Sequence, residues 1–333
     1  MKQPTCWVHT IVIVLILVIT AVAPPAFAQE KHPIAIAVSP WVGYGPLYVA
    51  KDKGFFGDLV VTITIIPDDD RRISQLMGGY AQIVVAPVDA MVAKSRRELG
   101  FKAFLVIDES AGGDGVVARK GIGRLEDLAG KKVALGLFSP SDFWFDYLLE
   151  ERDLEDLKDE ITFVNLVGLK ALAAMRKGQV DAIIGREPFL SSAVRDLKGT
   201  IIADSRQTPG RVVDVLFSQA DTIAERHADF EKVVRGVYRA VNWMEKNPAA
   251  AKAIIKKYLG ASYRVSSDFT NTFSAVRFYN RDMNLRYFGT EDHPGDFEET
   301  LDDSIDYLRD VNELSWKPDP EDFMDFSLVP VLP

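Results

Sequence analysis

Cysteine is nearly missing from this chain: of 333 residues one is cysteine, Cys6, and four are histidine. Cys6 precedes an apolar run from Ile11 to Val22 that closes in Pro24-Pro25-Ala26-Phe27-Ala28, and Lys2 is the only charged side chain before that point. A cationic start, an apolar stretch too short to span a bilayer comfortably and a small-x-small ending make a secretory leader, residues 1–28, with cleavage expected between Ala28 and Gln29. Cys6 is not at the cleavage point, so it cannot carry the lipid of a mature lipoprotein. With the leader gone, the exported chain has no thiol for a disulfide, a nucleophile or a metal ligand. His32, His227 and His293 are too far apart in sequence to suggest a zinc pair, so no metal and no cofactor is expected.

An excess of basic residues is also missing. Lys and Arg total 39 against 48 Asp and Glu, a net charge of −9 that becomes one unit more negative once Lys2 is removed. That balance argues against nucleic acid, whose phosphates call for a basic face. Low-complexity and Gly/Ser-rich stretches are lacking too, so any domains are joined by short ordered crossovers. What remains, residues 29–333 with an overall apolar content of 47%, is enough for two ordinary lobes with real cores.

The chain alternates strand-like and helix-like segments. Ile34–Val38, Val60–Ile66, Gln82–Val85 and Lys102–Ile107 read as strands, with helices over Pro46–Lys53, from Asp68 to Gly78, and over Val88–Arg97. Asp68, Asp69 and Asp70 suit the cap and dipole of a helix start better than a calcium loop, whose oxygen cage is not repeated nearby. Residues 108–115, Asp-Glu-Ser-Ala-Gly-Gly-Asp-Gly, read as a flexible polar crossover. A second alternating unit runs through Val116–Ala118, Lys132–Leu135, a helix over Ser141–Glu151, Ile161–Asn165, a helix over Leu169–Lys177, Val180–Ile184 and Thr200–Ala203. Thr208-Pro209-Gly210 marks a second crossover, Arg211–Phe217 returns as a strand, and amphipathic helices follow over Phe230–Met244, Ala249–Tyr258 and on toward Val311.

The pattern implies two α/β lobes with mainly parallel sheets, residues 29–110 with 211–333 forming one and 111–210 the other. Gly79-Tyr-Ala-Gln-Ile-Val-Val85 echoes Gly178-Gln-Val-Asp-Ala-Ile-Ile184, each a helix-ending glycine, a short buried strand and then a proline, Pro87 or Pro188. Ligands collect outside the carboxyl ends of strands in such sheets, so the segments after the two echoes should face one another across a cleft.

Trp41-Val-Gly-Tyr-Gly-Pro-Leu-Tyr-Val-Ala-Lys-Asp-Lys-Gly-Phe-Phe56 resembles the opening signature of periplasmic solute-binding proteins of the NMT1/THI5-like group, which includes sulfonate, taurine, nitrate and thiamine-precursor receptors. Residues 108–115, Leu125-Glu-Asp-Leu-Ala-Gly-Lys-Lys-Val-Ala134 and Gly178-Gln-Val-Asp-Ala182 followed by Glu187-Pro188 agree with it. The resemblance runs from about Ile34 to Phe217 and thins beyond. It implies a type II periplasmic-binding fold, a hinge that closes two lobes on a ligand, and the permease of an ABC importer as partner for a monomeric, non-enzymatic receptor in the periplasm. A sensory protein docking on a membrane receptor would look the same. An enzyme of pyrimidine or thiamine-precursor metabolism is a further alternative, although the cysteine-rich motif of the yeast relatives has no counterpart here and no Ser-His-Asp order replaces it.

Candidate ligand contacts follow from strand ends and from the resemblance together. Trp41 and Tyr44 can form an apolar wall, with Gly43, Gly45 and Pro46 letting backbone approach the ligand. Pro87 and Asp89 follow the third strand, and Ser110 and Asp114 lie in the crossover. Ser139, Ser141 and Asp142 open the helix that carries Trp144, a start that could receive an anion or simply be capped by its serines. Glu187 and Pro188 complete the set. Asp89, Asp114 and Glu187, with Arg186 as the only cation in the same loops, favour a ligand that donates hydrogen bonds, such as an amine or aminopyrimidine, over a bare nitrate or alkanesulfonate. A zwitterion such as taurine fits both readings.

Overall fold

The computed structural model describes Met1, residues 33–260, Tyr263 and residues 266–333. Residues 2–28 of the expected leader, Cys6 included, lie outside the described residues, as does His32.

Strand β1 (Ile34–Val38) is an aliphatic run whose side chains alternate between two cores, Ile34, Ile36 and Val38 on one face and Ala37 on the other. Helix α1 (Gly45–Lys53) has Pro46 in its first turn, and it ends at Gly54, whose φ of 67° is a left-handed stop that glycine adopts without strain. Then come β2 (Val61–Ile65), α2 (Asp69–Met77), β3 (Ile83–Pro87), α3 (Val88–Ala93) and β4 (Phe101–Ser110). Asp68 caps α2 by accepting from the Arg71 amide at 2.8 Å, the role expected of this acidic start.

The next part holds β5 (Asp114–Ala118), β6 (Lys132–Leu135), α4 (Pro140–Glu150), α5 (Leu157–Glu160), β7 (Thr162–Asn165), α6 (Gly168–Arg176), β8 (Ala182–Arg186), α7 (Phe189–Leu197) and β9 (Thr200–Asp204). The chain then returns through β10 (Val213–Gln219) to α8 (Ala220–Glu225), α9 (His227–Lys246), α10 (Pro248–Leu259), α11 (Ser266–Ser274), β11 (Val276–Phe278), α12 (Arg281–Tyr287) and α13 (Phe297–Asp310). Helices α9 and α10 pack on α1, and α13 packs on α3, so the carboxyl-terminal helices cover both faces of the first sheet.

The two sheets are wired alike. The first has the order β11-β4-β10-β3-β1-β2 and the second β7-β6-β8-β5-β9. In each, three parallel strands stand in the order second, first, third, and a crossing strand runs antiparallel beside the third. The crossing strand of the first sheet is β10, arriving from the second; that of the second is β5, arriving from the first. The echo between residues 79–85 and 178–184 is thus a repeat of strand position, since β3 and β8 are the third strands of their sheets. Their ladders match as well: Pro87 pairs with Asp214, and Arg186 with Asp114.

Three local expectations are corrected. Residues 108–115 are not a flexible passage: β4 runs through Ser110 and β5 starts at Asp114, leaving a three-residue bend, because Asp108, Glu109, Ser110 and Asp114 are buried and pair in the ladders. The helix placed over Val88–Arg97 stops at Ala93, with the Ser95 hydroxyl turned back onto the Val92 carbonyl at 2.7 Å. Helix α7 and strand β11 were not anticipated; α7 follows directly on Pro188, and β11 is only three residues long.

Candidate functional site

Four strand ends open onto one cavity of about 370 Å³. Ser39 follows β1, Pro87 ends β3, Gly136 follows β6 and Arg186 ends β8, so both sheets present their carboxyl ends to the same space. Asp69 and Arg72 of α2 add to the wall on the first sheet's side. Ser139, Pro140 and Ser141 at the start of α4, Val167 and Gly168 after β7, and Phe189 of α7 add to the wall on the other. A small recess of about 20 Å³ adjoins it, sharing Pro87, Pro140 and Arg186 and otherwise lined by Trp41, Asp108, Ser110, Asp114, Val212 and Asp214.

The two arginines of the cavity differ. Arg72 is buried; its guanidinium donates to the carbonyls of Ile66 at 2.8 Å and Pro67 at 3.3 Å and is paired with Asp69, so its charge is largely answered by the protein. Arg186 is exposed to the cavity and, among the described residues, forms no ion pair. Its charge still acts on its neighbours. Burial raises the carboxyls of Asp114 and Asp214, and Arg186 opposes both shifts.

The recess is built on buried acids and fixed donors. The Trp41 indole donates to Asp108 Oδ1 at 3.0 Å, and a Cβ on Gly43 would lie 2.3 Å from that carboxyl, so glycine is required for the Trp41 loop to approach β4. Asp108 and Asp214 are ladder partners, and burial together with Asp214's charge holds Asp108 well above the usual carboxylate range. Asp108 Oδ2 and Asp214 Oδ1 are buried with no hydrogen-bond partner among the described residues. The Ser110 hydroxyl lies 2.8 Å from that of Ser205 and accepts from the Asp114 amide at 2.9 Å, and the Ser141 hydroxyl donates to Asp114 Oδ1 at 3.1 Å. No side chain caps α4: the Ser139 hydroxyl donates instead to the Gly136 carbonyl at 2.7 Å, leaving the positive end of the helix directed at the cavity.

Of the residues singled out from sequence, Pro87, Ser139 and Ser141 line the main cavity, and Trp41, Ser110, Asp114 and again Pro87 line the recess. The others lie elsewhere. Tyr44, Gly45 and Pro46 are buried in the first core, where a Cβ on Gly45 would meet Ile255 at 2.4 Å. Asp89 sits buried in the first turn of α3, its carboxyl pushed up to about 7 by desolvation. Asp142 is buried, accepts from the Phe138 amide at 2.8 Å and faces Lys158 at 3.6 Å. Trp144 is fully buried in the second unit's core with its indole on the Thr208 hydroxyl at 2.9 Å, so it is not the opposing wall. Glu187, followed by the cis Pro188, turns away onto the amide and hydroxyl of Ser191. The segment Gly185 to Phe189, expected to face the cleft, reaches the cavity wall with Gly185, Arg186 and Phe189, whereas Ser39, Asp69, Arg72, Val167, Asp108 and Asp214 were missed. Ser39 and Asp214 carried a usable signal, since each stands at a strand end equivalent to one that was examined.

A family model described as the NMT1-like family matches residues 27–259. The taurine-binding periplasmic protein of Escherichia coli (strain K12) is 24% identical over 163 residues, 48% of this chain and 49% of that protein, so the chain spans about half the length of the curated relative it matches. Among solved structures, the periplasmic aliphatic sulphonate-binding protein SsuA from Escherichia coli superposes with a TM-score of 0.72 at 14% identity, covering 90% of this chain and 99% of that one. The alkanesulfonate-binding protein SsuA from Xanthomonas axonopodis pv. citri, bound to MOPS, gives 0.66 at 15%, covering 88% and 98%. The desulfurization enzyme DSZB gives 0.59 at 13%, covering 89% and 97%. At these identities the structural likeness is one of fold, the two-lobed fold of periplasmic binding proteins, and that fold is shared with an enzyme.

Proposed function

Because the chain belongs to the NMT1-like family, we propose that it is the solute-binding component of an ABC-type importer, exported to the periplasm, where as a monomer it captures a small polar organic anion and passes it to a membrane permease. In this reading residues 29–110 with 211–333 form one lobe and 111–210 the other, and the cavity between the two sheets closes on the solute by a hinge at the crossovers.

The observation that carries the reading is Arg186: a cation at a strand end, facing the cavity, without an ion pair among the described residues. An anionic head group seated there completes the pairing and also meets the uncapped start of α4 and the hydroxyls of Ser39, Ser139 and Ser141. The acids that favoured a donor-type ligand on sequence grounds bear on the ligand less than expected. Glu187 is bonded to Ser191, Asp89 is buried outside both the cavity and the recess, and burial with Asp214's charge holds the Asp108 carboxyl well above the usual carboxylate range. What remains, Asp114 in the recess, suits an amine on the same ligand, so a zwitterion such as the taurine of the Escherichia coli relative fits both ends. The cavity lining contains no histidine or cysteine, and turnover is not part of the reading.

A thermal-shift panel of taurine, alkanesulfonates, nitrate, aminopyrimidines and small amines tests it. Anionic or zwitterionic organic solutes should raise the midpoint in proportion to the logarithm of their concentration, and native mass spectrometry should recover them chemically unchanged. Stabilisation by amines alone would refute the anion assignment, and release of a converted product would refute the receptor.

A further inference from the structure

Helices α7 and α11 belong to different cores, Leu190 and Ala193 of α7 to the second unit's and Phe269 of α11 to the first, yet they lie side by side. Two polar rungs join them. Asn271 Nδ2 donates to the Ser191 hydroxyl at 3.0 Å, and the Arg195 guanidinium is paired with Asp268, whose carboxylate is buried. Ser191 and Arg195 are four residues apart in α7, and Asp268 and Asn271 three apart in α11, so each pair shares one helix face. Chain direction reverses between the rungs, Ser191 to Arg195 against Asn271 to Asp268, so the two helices are antiparallel.

Both helices are tied to one bend. The Glu187 amide, two residues before α7, donates to the Gly113 carbonyl at 2.7 Å, and the Ala111 amide donates at 2.8 Å to the carbonyl of Ala275, the residue after α11. Gly112 between them has φ of 103°, which glycine adopts without strain. Ser191 stays close to the bend, holding Glu187 through its amide at 3.1 Å and its hydroxyl at 2.6 Å. Arg195 is four residues farther out, about 6 Å along the helix. Two arms thus leave a three-residue bend and are pinned together beyond it. A swing about the bend separates Arg195 from Asp268 more than it separates Ser191 from Asn271. The same swing moves the cavity wall, because Phe189 in the first turn of α7 and Arg186 just before it both line the cavity.

We propose that Arg195 and Asp268, with Ser191 and Asn271 inside them, form a latch that holds the two lobes shut over the cavity and breaks when the solute is released. The proposal rests on the hinge reading above and names the contact that restrains it. A carboxylate buried at the junction costs desolvation that apolar packing would avoid, so the pair contributes a defined closed position rather than bulk stability.

Double electron–electron resonance between nitroxide labels at Arg71→Cys and Lys170→Cys, in the full chain carrying Cys6→Ser, tests it. These exposed positions adjoin the cavity walls made by Arg72 and Gly168 from the two sheets. Without solute the parent should show a closed and an open distance. Asp268→Asn and Arg195→Gln should each lower the ratio of closed to open about fivefold, the upper range for a pair with one exposed partner. The two together should lower it no further than either alone. Asp196→Asn, which loosens the same arginine from within α7, should leave the ratio unchanged. Added salt, which needs no substitution, should shift the parent toward the open distance and leave the double variant where it is. A ratio indifferent to salt in the parent and to either single variant, or effects that add in the double variant, would overturn the latch and leave the hinge and the receptor intact. A single distance in the parent, unmoved by salt and by every variant, would overturn the hinge and the latch with it.

Discussion

Replacing Arg186 by Gln keeps a donor of similar reach at the end of β8 and removes the charge. The ligand then loses a charge-assisted hydrogen bond, worth about 1.5–3 kcal/mol, which at about 1.4 kcal/mol per decade is a roughly 10- to 150-fold weaker dissociation constant. A second effect has a definite sign. Arg186 pulls down the carboxyls of Asp114 and Asp214, which burial pushes up, so without it both take protons more readily. A buried acid whose folded pKa is raised contributes stability at low pH that is lost as pH rises through that value. The variant should therefore be more destabilised, relative to the parent, at pH 8 than at pH 5. Calorimetric titration of an alkanesulfonate at neutral pH measures the first effect, and thermal unfolding across that pH range measures the second. A dissociation constant within threefold of the parent's would refute the assignment of the head group to Arg186, whatever the stability curves show.

Asp89 gives an independent pH test away from the ligand. Its carboxyl is held at about 7 by burial against about 3.9 unfolded, so between roughly pH 4 and 7 the unfolded chain sheds a proton that the native state keeps. Stability should fall with rising pH by up to about 1.4 kcal/mol per unit from this group, and Asp89→Asn should remove that slope, its midpoint overtaking the parent's toward pH 8; parallel curves would show that Asp89 is ionised in the fold. Gly43→Ala should displace Asp108 from the Trp41 indole, because its Cβ would lie 2.3 Å from the carboxyl. A loss of about 1–3 kcal/mol, as overpacking typically costs, should accompany altered tryptophan fluorescence, and an unchanged denaturation midpoint would count against that close approach.

Sequence periodicity carried most of the strands. Ile34–Val38 and Lys132–Leu135 occur with the bounds read from their aliphatic runs, because buried parallel strands leave no choice of face and little choice of length. Where reading failed, tertiary pairing decided. Asp108, Glu109 and Asp114 look like loop residues in composition, yet they are strand ends whose acids are satisfied by Trp41, Tyr279, Arg277 and Ser141 from distant segments. The site divided in the same way. Residues next to a legible strand end, such as Pro87, Ser139 and Ser141, reached the cavity, whereas Asp142, Trp144 and Glu187 were placed there by nearness in sequence and point elsewhere. Ser141 and Trp144 are three positions apart and only about 60° apart around α4, so depth along the helix separates them: Ser141 in the first turn lines the cavity, while Trp144, nearly one turn on, packs in the core.

The shared wiring of the two sheets also explains why the cleft has one polar end rather than two. Each sheet places a carboxylate on its crossing strand opposite the last residue of its third strand, Asp214 opposite Pro87 and Asp114 opposite Arg186. A strict repeat would have set two like-charged acids across a narrow recess with nothing to compensate them. The first sheet sets Asp214 beside Asp108, whose carboxyl burial holds well above the usual range, and leaves a proline that neither donates nor accepts through its side chain. The second sheet resolves its half with a cation whose reach extends past Asp114 into the main cavity. Because the first sheet answers Arg72 with Asp69 while the second leaves Arg186 without an ion pair among the described residues, the same backbone geometry presents an unanswered cation to the solute from the second sheet's side.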